Sequence, residues 1–470
     1  MPYRDLREYL ARLHETGNLW KIKTAVDKDW EIAAVARRVF QRIPEERRKA
    51  LLFENVKGFP TMVCGGVLGA SRALYALALE TTVDKIQDKW DQARANPLPP
   101  VPAREAPCKE NILKGDKIDL LKFPVPIWTV GQDPGPYLTA PQVCSYDSDS
   151  RIRNIGTYRV QIKSSRRIGL FVNEFQDLRR TVTKNEQKGI PTPVAMVVGT
   201  EPTTALVSVS KAAYDVDEFA QAGGLRGAPV EIVRCETNDV DVPATSELVI
   251  EGKIMPGVRE AEGPFGEYTG YMGSAGNAYV IDVECVTHRN NPIHHTFLSQ
   301  MPPSETSIIV GYGREAGILR HLRQLGIPVV DVHLPHEGGV AAILAISIKK
   351  DHPAQPMHAM WAAWCVYPTL GKITVVVDDD IDVRDMFAVQ WAMSFRVQPN
   401  KDVQIVPVSP VLALDPSIAP EDVPQQVKGK MTSSKIAIDA TKKHTYPALA
   451  LPPKEDLLKV DAKWATYGLE

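Results

Sequence analysis

Near residue 305 the apolar residues of this chain change their period, and that change demands two kinds of architecture in one molecule. From about 112 to 300 apolar and polar residues alternate. In TYRVQIK, Tyr158, Val160 and Ile162 alternate with Arg159, Gln161 and Lys163; in YVIDVECVT, Tyr279, Ile281, Val283 and Cys285 alternate with Asp282 and Glu284. A period of two is the pattern of a half-buried strand. PVAMVVG and ELVIEGKI are further strand candidates, and Gly-containing turns separate the set, which predicts a barrel-like sheet. Beyond 305, ETSIIVGYGREAGILRHLRQLG predicts a helix, IPVVDVHLP a strand and KITVVVDDD a buried strand. DVRDMFAVQWAMSFRV then predicts a helix with Met386, Val389 and Met393 on one face. Strands and helices in alternation imply an α/β layer.

The first hundred residues read differently again. Leu6, Tyr9, Leu10 and Leu13 fall at helical spacing with Gly17 as a natural stop, and WEIAAVARRVFQRI predicts a second helix. LLFENVKGFPTMVCGGVLG then breaks short apolar runs with glycine, as strands and turns do. RANPLPPVPAREAPCKEN, residues 94 to 111, is a proline-rich connector. The expected division is therefore 1–108, 109–304 and 305–470. With 470 residues there is chain enough for such a multidomain core. A net charge of −2 offers no basic excess for nucleic acid. No apolar run approaches the roughly 20 residues of a membrane span, and the N-terminus MPYRDLREYLARLHETGN has no signal-peptide core. The six cysteines are scattered without a CxxC pair, which fits a reducing cytoplasm.

The stretch with the most chemical content is REAEGPFGEYTGY. Glu262 and Glu267 flank Gly263-Pro264-Phe265-Gly266. Proline locks φ and glycine permits left-handed backbone, so a turn here can fold one carboxylate back toward the other. Taken alone, the motif fits a solvated acidic loop better than a site. Arg159 reads as a polar-face strand residue, and Asn154 as a turn residue or an oxygen ligand. Glu218 has the composition of a helix cap or a cation ligand. Asp378, Asp379 and Asp380 fit the polar mouth of a parallel strand better than a metal site, and His294 and His295 lack ligand spacing. There is no HExxH, P-loop or GxSxG.

NIGTYR, EGPFGEYTGY, LPHEGG with ISIKK, VVVDDDIDVRD and SSKIAIDATKK stand in this order along the chain. With them the whole chain resembles the UbiD-like decarboxylases. The resemblance implies an N-terminal α/β domain, a central split β-barrel that binds flavin, and a C-terminal α/β domain whose tail serves oligomerisation as a homodimer or homohexamer. It implies prenylated FMN supplied by a partner flavin prenyltransferase, with Mn²⁺ (or Mg²⁺) and K⁺ at the cofactor phosphate. The substrate implied is a small aromatic, heteroaromatic or α,β-unsaturated carboxylic acid, decarboxylated reversibly. The family's catalytic Glu–Arg–acid set falls on Glu262, Arg159 and Glu267, with Glu267 as proton donor. Its flavin cradle falls on Asn154, Thr157, Tyr158, Arg159, Gln176, Ser210 and Glu218, and two metal ligands fall on Asn154 and Glu218.

Three positions depart from the family pattern. The third metal ligand, usually histidine, falls in GLFVNEFQDLRRT, where Asp177 and then Gln176 are the nearest oxygen donors. Phe387 stands where some members carry a phosphate-facing lysine, and Met301 where several have arginine. The missing histidine motivates an alternative, a non-catalytic subunit of a multi-subunit carboxylase; the intact Glu262–Arg159–Glu267 set argues for an enzyme. Two carboxylates held close in a partly buried site cannot both ionise cheaply, so one is expected to titrate high.

Overall fold

The structure is a computed structural model that describes residues 2–173, 176–210, 216–410, 412, 414–419 and 432–468. The helix Leu6–Glu15 forms where predicted. Asp5 caps it by accepting from Glu8 N–H, and Leu6, Tyr9, Leu10 and Leu13 turn inward. It packs on a four-stranded sheet ordered Leu19–Ile22, Ala50–Phe53, Met62–Gly65, Ile293–Thr296. The last of these strands comes from far along the chain and pairs in parallel with Met62–Gly65.

Among the described residues the central sheet has nine strands. Along its main path run Tyr137–Leu138, Val160–Ser164, Arg167–Leu170, Gly276–His288, Leu248–Glu262, Thr192–Val198, Gln142–Tyr146 and Arg153–Thr157. Asn111–Lys114 adds to the Gly276–His288 strand from the side. The order itself proves that the sheet curls. Arg153–Thr157 ends the path on one side and Val160–Ser164 stands second from the other, yet only Tyr158 and Arg159 separate them in sequence. Three peptide units span at most about 11 Å, so the two ends must come together as a split barrel. TYRVQIK is therefore not one strand: the alternation around Arg159 is real, but the chain leaves one sheet edge at Thr157 and joins the other at Val160.

Beyond Ser304, which caps the helix Glu305–Gln324, lies a five-stranded sheet. Its order is Val329–His333, Ile343–Ile348, Ile373–Asp378, Thr432–Asp439, Val403–Pro410. Leu344, Ile346 and Val376 face Ile318, Leu322 and Met360 of the helices Glu305–Gln324 and Gln355–Val366. Ala345, Val375 and Val377 face Val389 and Ala392 of Met386–Arg396. Period-two burial on both faces is what a sheet between two helix layers requires. Asp378 and Asp380 lie at the mouth of a strand that is parallel to both neighbours, and Arg396 bonds both of them. No helix among the described residues is long and apolar enough to cross a membrane. The tail helix Lys454–Asp461 and the turn Trp464–Tyr467 leave Leu457, Leu458, Val460 and Trp464 exposed.

Candidate active site

The long strand Leu248–Glu262 pairs with Gly276–His288 until Glu262 meets Gly276, and the turn Gly263–Gly266 follows at once. Gly263 has φ 80°, the left-handed region that a side chain strains. A Cβ on Gly266 would lie 2.7 Å from Gln300 Nε2, so this glycine lets the Gln300 amide lie against the turn. Beyond it, Glu267 N–H donates to the Tyr271 carbonyl at 2.9 Å and Gly273 N–H to the Phe265 carbonyl at 2.8 Å. The rigid turn thus delivers Glu267 to the same spot as Glu262.

That spot is the guanidinium of Arg159, projected from the crossing between sheet edges. Its Nε and Nη2 donate to the two oxygens of Glu262, each at 2.9 Å. Its Nη1 donates to Glu267 Oε1. The side chains are 11% (Arg159), 1% (Glu262) and 18% (Glu267) exposed, so solvent screens the cluster little. The guanidinium lies 4.2 Å above the Phe171 ring and 5.3 Å from Phe265, which adds cation–π attraction. Burial raises the Glu267 carboxyl above the ordinary glutamate range; Arg159 opposes the shift and Glu262 adds to it. One cation between two carboxylates leaves the cluster with a net negative charge unless one acid keeps its proton.

A second group lies on the strand just before the crossing. Asn154 Nδ2 donates to Glu218 at 3.1 Å, and Ile155 N–H donates to the same carboxylate at 2.9 Å. Asn154 Oδ1 is buried and accepts no hydrogen bond from the described residues. Glu218 opens the helix Glu218–Arg226, but Asp217 caps it, accepting from Phe219 and Ala220 N–H, so Glu218 is free to face Asn154. Burial pushes the Glu218 carboxyl up to about 8, and Asp177 and Asp217 add negative charge nearby. An orphaned amide oxygen beside a carboxylate that no cation among the described residues compensates is a chemical fit for a hard divalent ion. Among the described residues, no three His, Cys, Asp or Glu side chains group as a metal site.

The remaining sequence candidates separate. Asp177 begins the helix Asp177–Gln187 and lies within electrostatic reach of Glu218, whereas Gln176 Oε1 is occupied by Asn173 N–H at 2.8 Å. Thr157 Oγ1 shares a 2.7 Å hydrogen bond with Ser208 Oγ, and Ser210 Oγ donates to the Val207 carbonyl at 2.9 Å. The Tyr158 side chain is buried in the barrel core. Met301 lies against Gly270, in the turn that holds Glu267, while Phe387 stands 79% exposed on Met386–Arg396. His294 and His295 are buried, with no hydrogen bond at any ring nitrogen among the described residues. Sequence reasoning missed Phe171, Phe265, Gln300 and Tyr137, whose phenol oxygen accepts from Gly263 N–H at 3.2 Å. In the sequence these are ordinary strand, turn and loop residues, and only their contacts mark them.

Comparison with known proteins places the chain among relatives along most of its length. Family models for the 3-octaprenyl-4-hydroxybenzoate carboxy-lyase N-terminal, Rift-related and C-terminal domains match residues 10–93, 100–302 and 307–440 in turn. A phenolic acid decarboxylase of Streptomyces sp. (strain D7) is 34% identical, covering 94% of this chain and 92% of that protein. An evolved dimeric form of the UbiD-class enzyme HmfF from Pelotomaculum thermopropionicum, solved in complex with prFMN, is 36% identical. It superposes with a TM-score of 0.83 over 96% of this chain and 97% of its own. The vanillic acid decarboxylase of Sedimentibacter hydroxybenzoicus in open form is 29% identical, with a TM-score of 0.83 over 99% of this chain and 100% of its own. Matched by three consecutive family models along most of its length, the chain belongs to the UbiD family of carboxy-lyases.

Proposed function

We propose that the protein decarboxylates, reversibly and without net oxidation, an aromatic, heteroaromatic or α,β-unsaturated carboxylic acid with the help of prenylated FMN. The observation that carries the reading is the single guanidinium of Arg159 shared by Glu262 and Glu267. Loss of CO₂ from an sp² carbon leaves an electron pair that side chains hold poorly; prenylated FMN, when bound, supplies the sink. The protein's part is to bind, orient and protonate. Arg159 orients the substrate carboxylate, a task suited to a planar fork of donors. Glu262 orients Arg159 and balances its charge. Glu267 keeps the proton that burial favours and delivers it to the carbon that lost CO₂.

Asn154, Glu218 and Asp177 would hold Mn²⁺ or Mg²⁺ at the cofactor phosphate, with K⁺ beside it. The buried Oδ1 of Asn154 supports this assignment. Thr157, Ser210, Gln176 and the Tyr158 main chain would frame the flavin. A flavin prenyltransferase would supply the cofactor, and a cytoplasmic setting fits the unpaired cysteines. The functional division 1–108, 109–304 and 305–470 follows from the same reading. Protein co-expressed with a flavin prenyltransferase tests the proposal by absorption and mass spectra of the bound flavin, followed by a screen of aromatic acids for CO₂ release. Unmodified protein that releases CO₂ from no such acid when flavin-loaded would refute it.

Glu218→Ala is expected to lose metal and flavin together, because an ion that bridges side chain and phosphate holds both. Metal analysis and flavin absorbance of the purified variant check this, and full flavin retention would count against the bridge. The assembly we propose is a homodimer or homohexamer through the tail. Leu458, 57% exposed, and Trp464, 50% exposed, lie on an apolar stretch that the described residues do not cover. Truncation before Lys454 is expected to shift light-scattering mass toward the monomer, and an unshifted mass would exclude the tail from the interface.

A further inference from the structure

The turn that carries Glu267 closes on itself. Glu267 N–H reaches the Tyr271 carbonyl and Gly273 N–H the Phe265 carbonyl, beyond the last pair of the two long strands, Glu262 with Gly276. Those bonds give the turn its shape; groups outside it give it its place. Gln300 lies against Gly266, Met301 against Gly270 and Tyr268 against Gly339. The last of these contacts is next to the acid. A Cβ on Gly339 would stand 3.0 Å from the Tyr268 carbonyl oxygen and 3.1 Å from its ring carbon Cδ2, so glycine is what admits main chain and ring together. The Tyr268 ring packs on the apolar core of the C-terminal sheet, which includes Ile318, Val340 and Leu344.

Two consecutive left-handed residues form this seat, Gly339 with φ 61° and Val340 with φ 51°. A β-branched residue at positive φ is an outlier, and it persists only where its surroundings over-determine it. One helix does so here. In Glu305–Gln324, a Cβ on Gly311 would lie 3.4 Å from Val340 Cγ1, so the valine side chain rests on that position. One turn on, Arg314 Nη1 donates to the Val340 carbonyl at 2.8 Å. Residues three apart share a helix face, so positions 311 and 314 grip Val340 at side chain and carbonyl together. The helix is itself anchored: Ser304 caps it, and the Glu305 carboxylate accepts from Gly66 and Leu68 N–H at 2.8 and 3.1 Å. Among the described residues no carboxylate acts on Arg314, whose electrostatic neighbours are the Tyr268 and Tyr367 phenols. Its bond to a main-chain carbonyl is therefore not a by-product of an ion pair.

We propose that Arg314 is a positioning residue of the decarboxylation: by bonding the Val340 carbonyl it holds the left-handed pair Gly339–Val340 against Tyr268, and Tyr268 sets where Glu267 stands beside Arg159. The inference rests on the reading of Glu267 as proton donor. Adjacent Cα atoms are held about 3.8 Å apart, so a displacement of Tyr268 passes directly to Glu267. Arg314 touches neither substrate nor flavin; it acts through Val340, Gly339 and Tyr268 in turn.

The test compares Arg314→Met and Arg314→Lys in the flavin-loaded enzyme, each alone and combined with Glu267→Gln. Methionine keeps much of the apolar length of the side chain and removes the donor; lysine keeps a cationic donor. Arg314→Met is expected to lower kcat about 10- to 100-fold, since a misplacement of about 1 Å at a reacting group can lose on the order of 10²-fold. KM and bound flavin should change little, and Arg314→Lys should recover most of the rate. In the Glu267→Gln background, which has no acidic proton left to place, Arg314→Met should alter kcat less than about twofold. A merely structural role would lower both backgrounds alike, so the same fold loss in each would overturn the inference. An unchanged kcat, a raised KM with kcat intact, or a lysine variant no better than methionine would overturn it too. Parent-like turnover by Glu267→Gln alone would instead overturn the donor reading beneath it. If Arg314→Met does not accumulate folded, Tyr268→Leu takes its place. It removes the ring that Gly339 seats and must show a loss that Glu267→Gln abolishes; equal losses in both backgrounds, or none, refute the proposal.

Discussion

Glu267→Gln is expected to bind cofactor and substrate nearly normally and to turn over at least about 10²-fold more slowly, within the ~10²–10⁴ range of a general acid. The amide keeps the shape of the side chain and a hydrogen-bond donor but has no acidic proton to give. Position is not in play: backbone bonds from Glu267 N–H to Tyr271 and from Gly273 N–H to Phe265 hold the turn whichever side chain it carries. The pH dependence has a definite sign. Burial raises the Glu267 carboxyl, so it is protonated and competent below its raised value and loses the proton as pH rises through it. The parent rate should therefore fall on the alkaline side through that value, and Glu267→Gln should lack that limb. Product formation in D₂O, beside single-turnover flavin spectra, decides the matter. If the variant decarboxylates and deuterates at the parent rate, water or another group is the donor.

Arg159→Ala is expected to lower kcat/KM by about 10²–10³-fold, the scale of removing one preorganised electrostatic contact, and to raise KM as well. The distinction from Glu267→Gln follows from when each group acts. On the proposed reading Arg159 engages the substrate carboxylate in the ground state, so its loss weakens capture, and Glu267 matters only at proton delivery. The substitution also strands Glu262, 1% exposed, without its cation. Breaking a buried pair from one side typically costs about 3–5 kcal/mol, so a lower thermal midpoint should accompany the kinetic loss. Arg159→Lys should recover part of the stability but little of the rate, because a point charge cannot serve three N–H bonds in one plane. Steady-state kinetics with a fixed aromatic acid, set beside calorimetric melts, separate the two effects. An Arg159→Ala enzyme with unchanged KM would remove the carboxylate-binding role.

Much of this architecture could be read before any coordinates. The period-two runs of the barrel strands, the helix Glu305–Gln324 and the mouth of Ile373–Asp378 appear where their residues predict. Burial periodicity and turn chemistry are local properties, encoded within a few residues. The rigid Gly-Pro-Phe-Gly turn between two acids belongs to the same class, and so do the ordered motifs that carry the family resemblance.

Other features followed from strand pairing. Arg159 meets Glu262 across 103 residues of sequence because the sheet curls and the chain crosses its gap at Tyr158 and Arg159. A periodic reading of TYRVQIK sees a continuous strand, since alternation looks the same whether or not the chain changes sheet edge. Likewise Asp217 took the cap and left Glu218 to face Asn154, an exchange between adjacent acids that composition does not distinguish. Tyr137 is the extreme case: an aromatic residue in a two-residue strand, with its part set entirely by which turn its strand lies against. By itself the sequence determined the elements, the stiffness of the acid-bearing turn and the types of the candidate groups, because each depends on residues near one another in the chain. Only the tertiary structure decided which cation those acids share and which of the two has the poorer supply of donors, because both depend on contacts between strands distant in sequence.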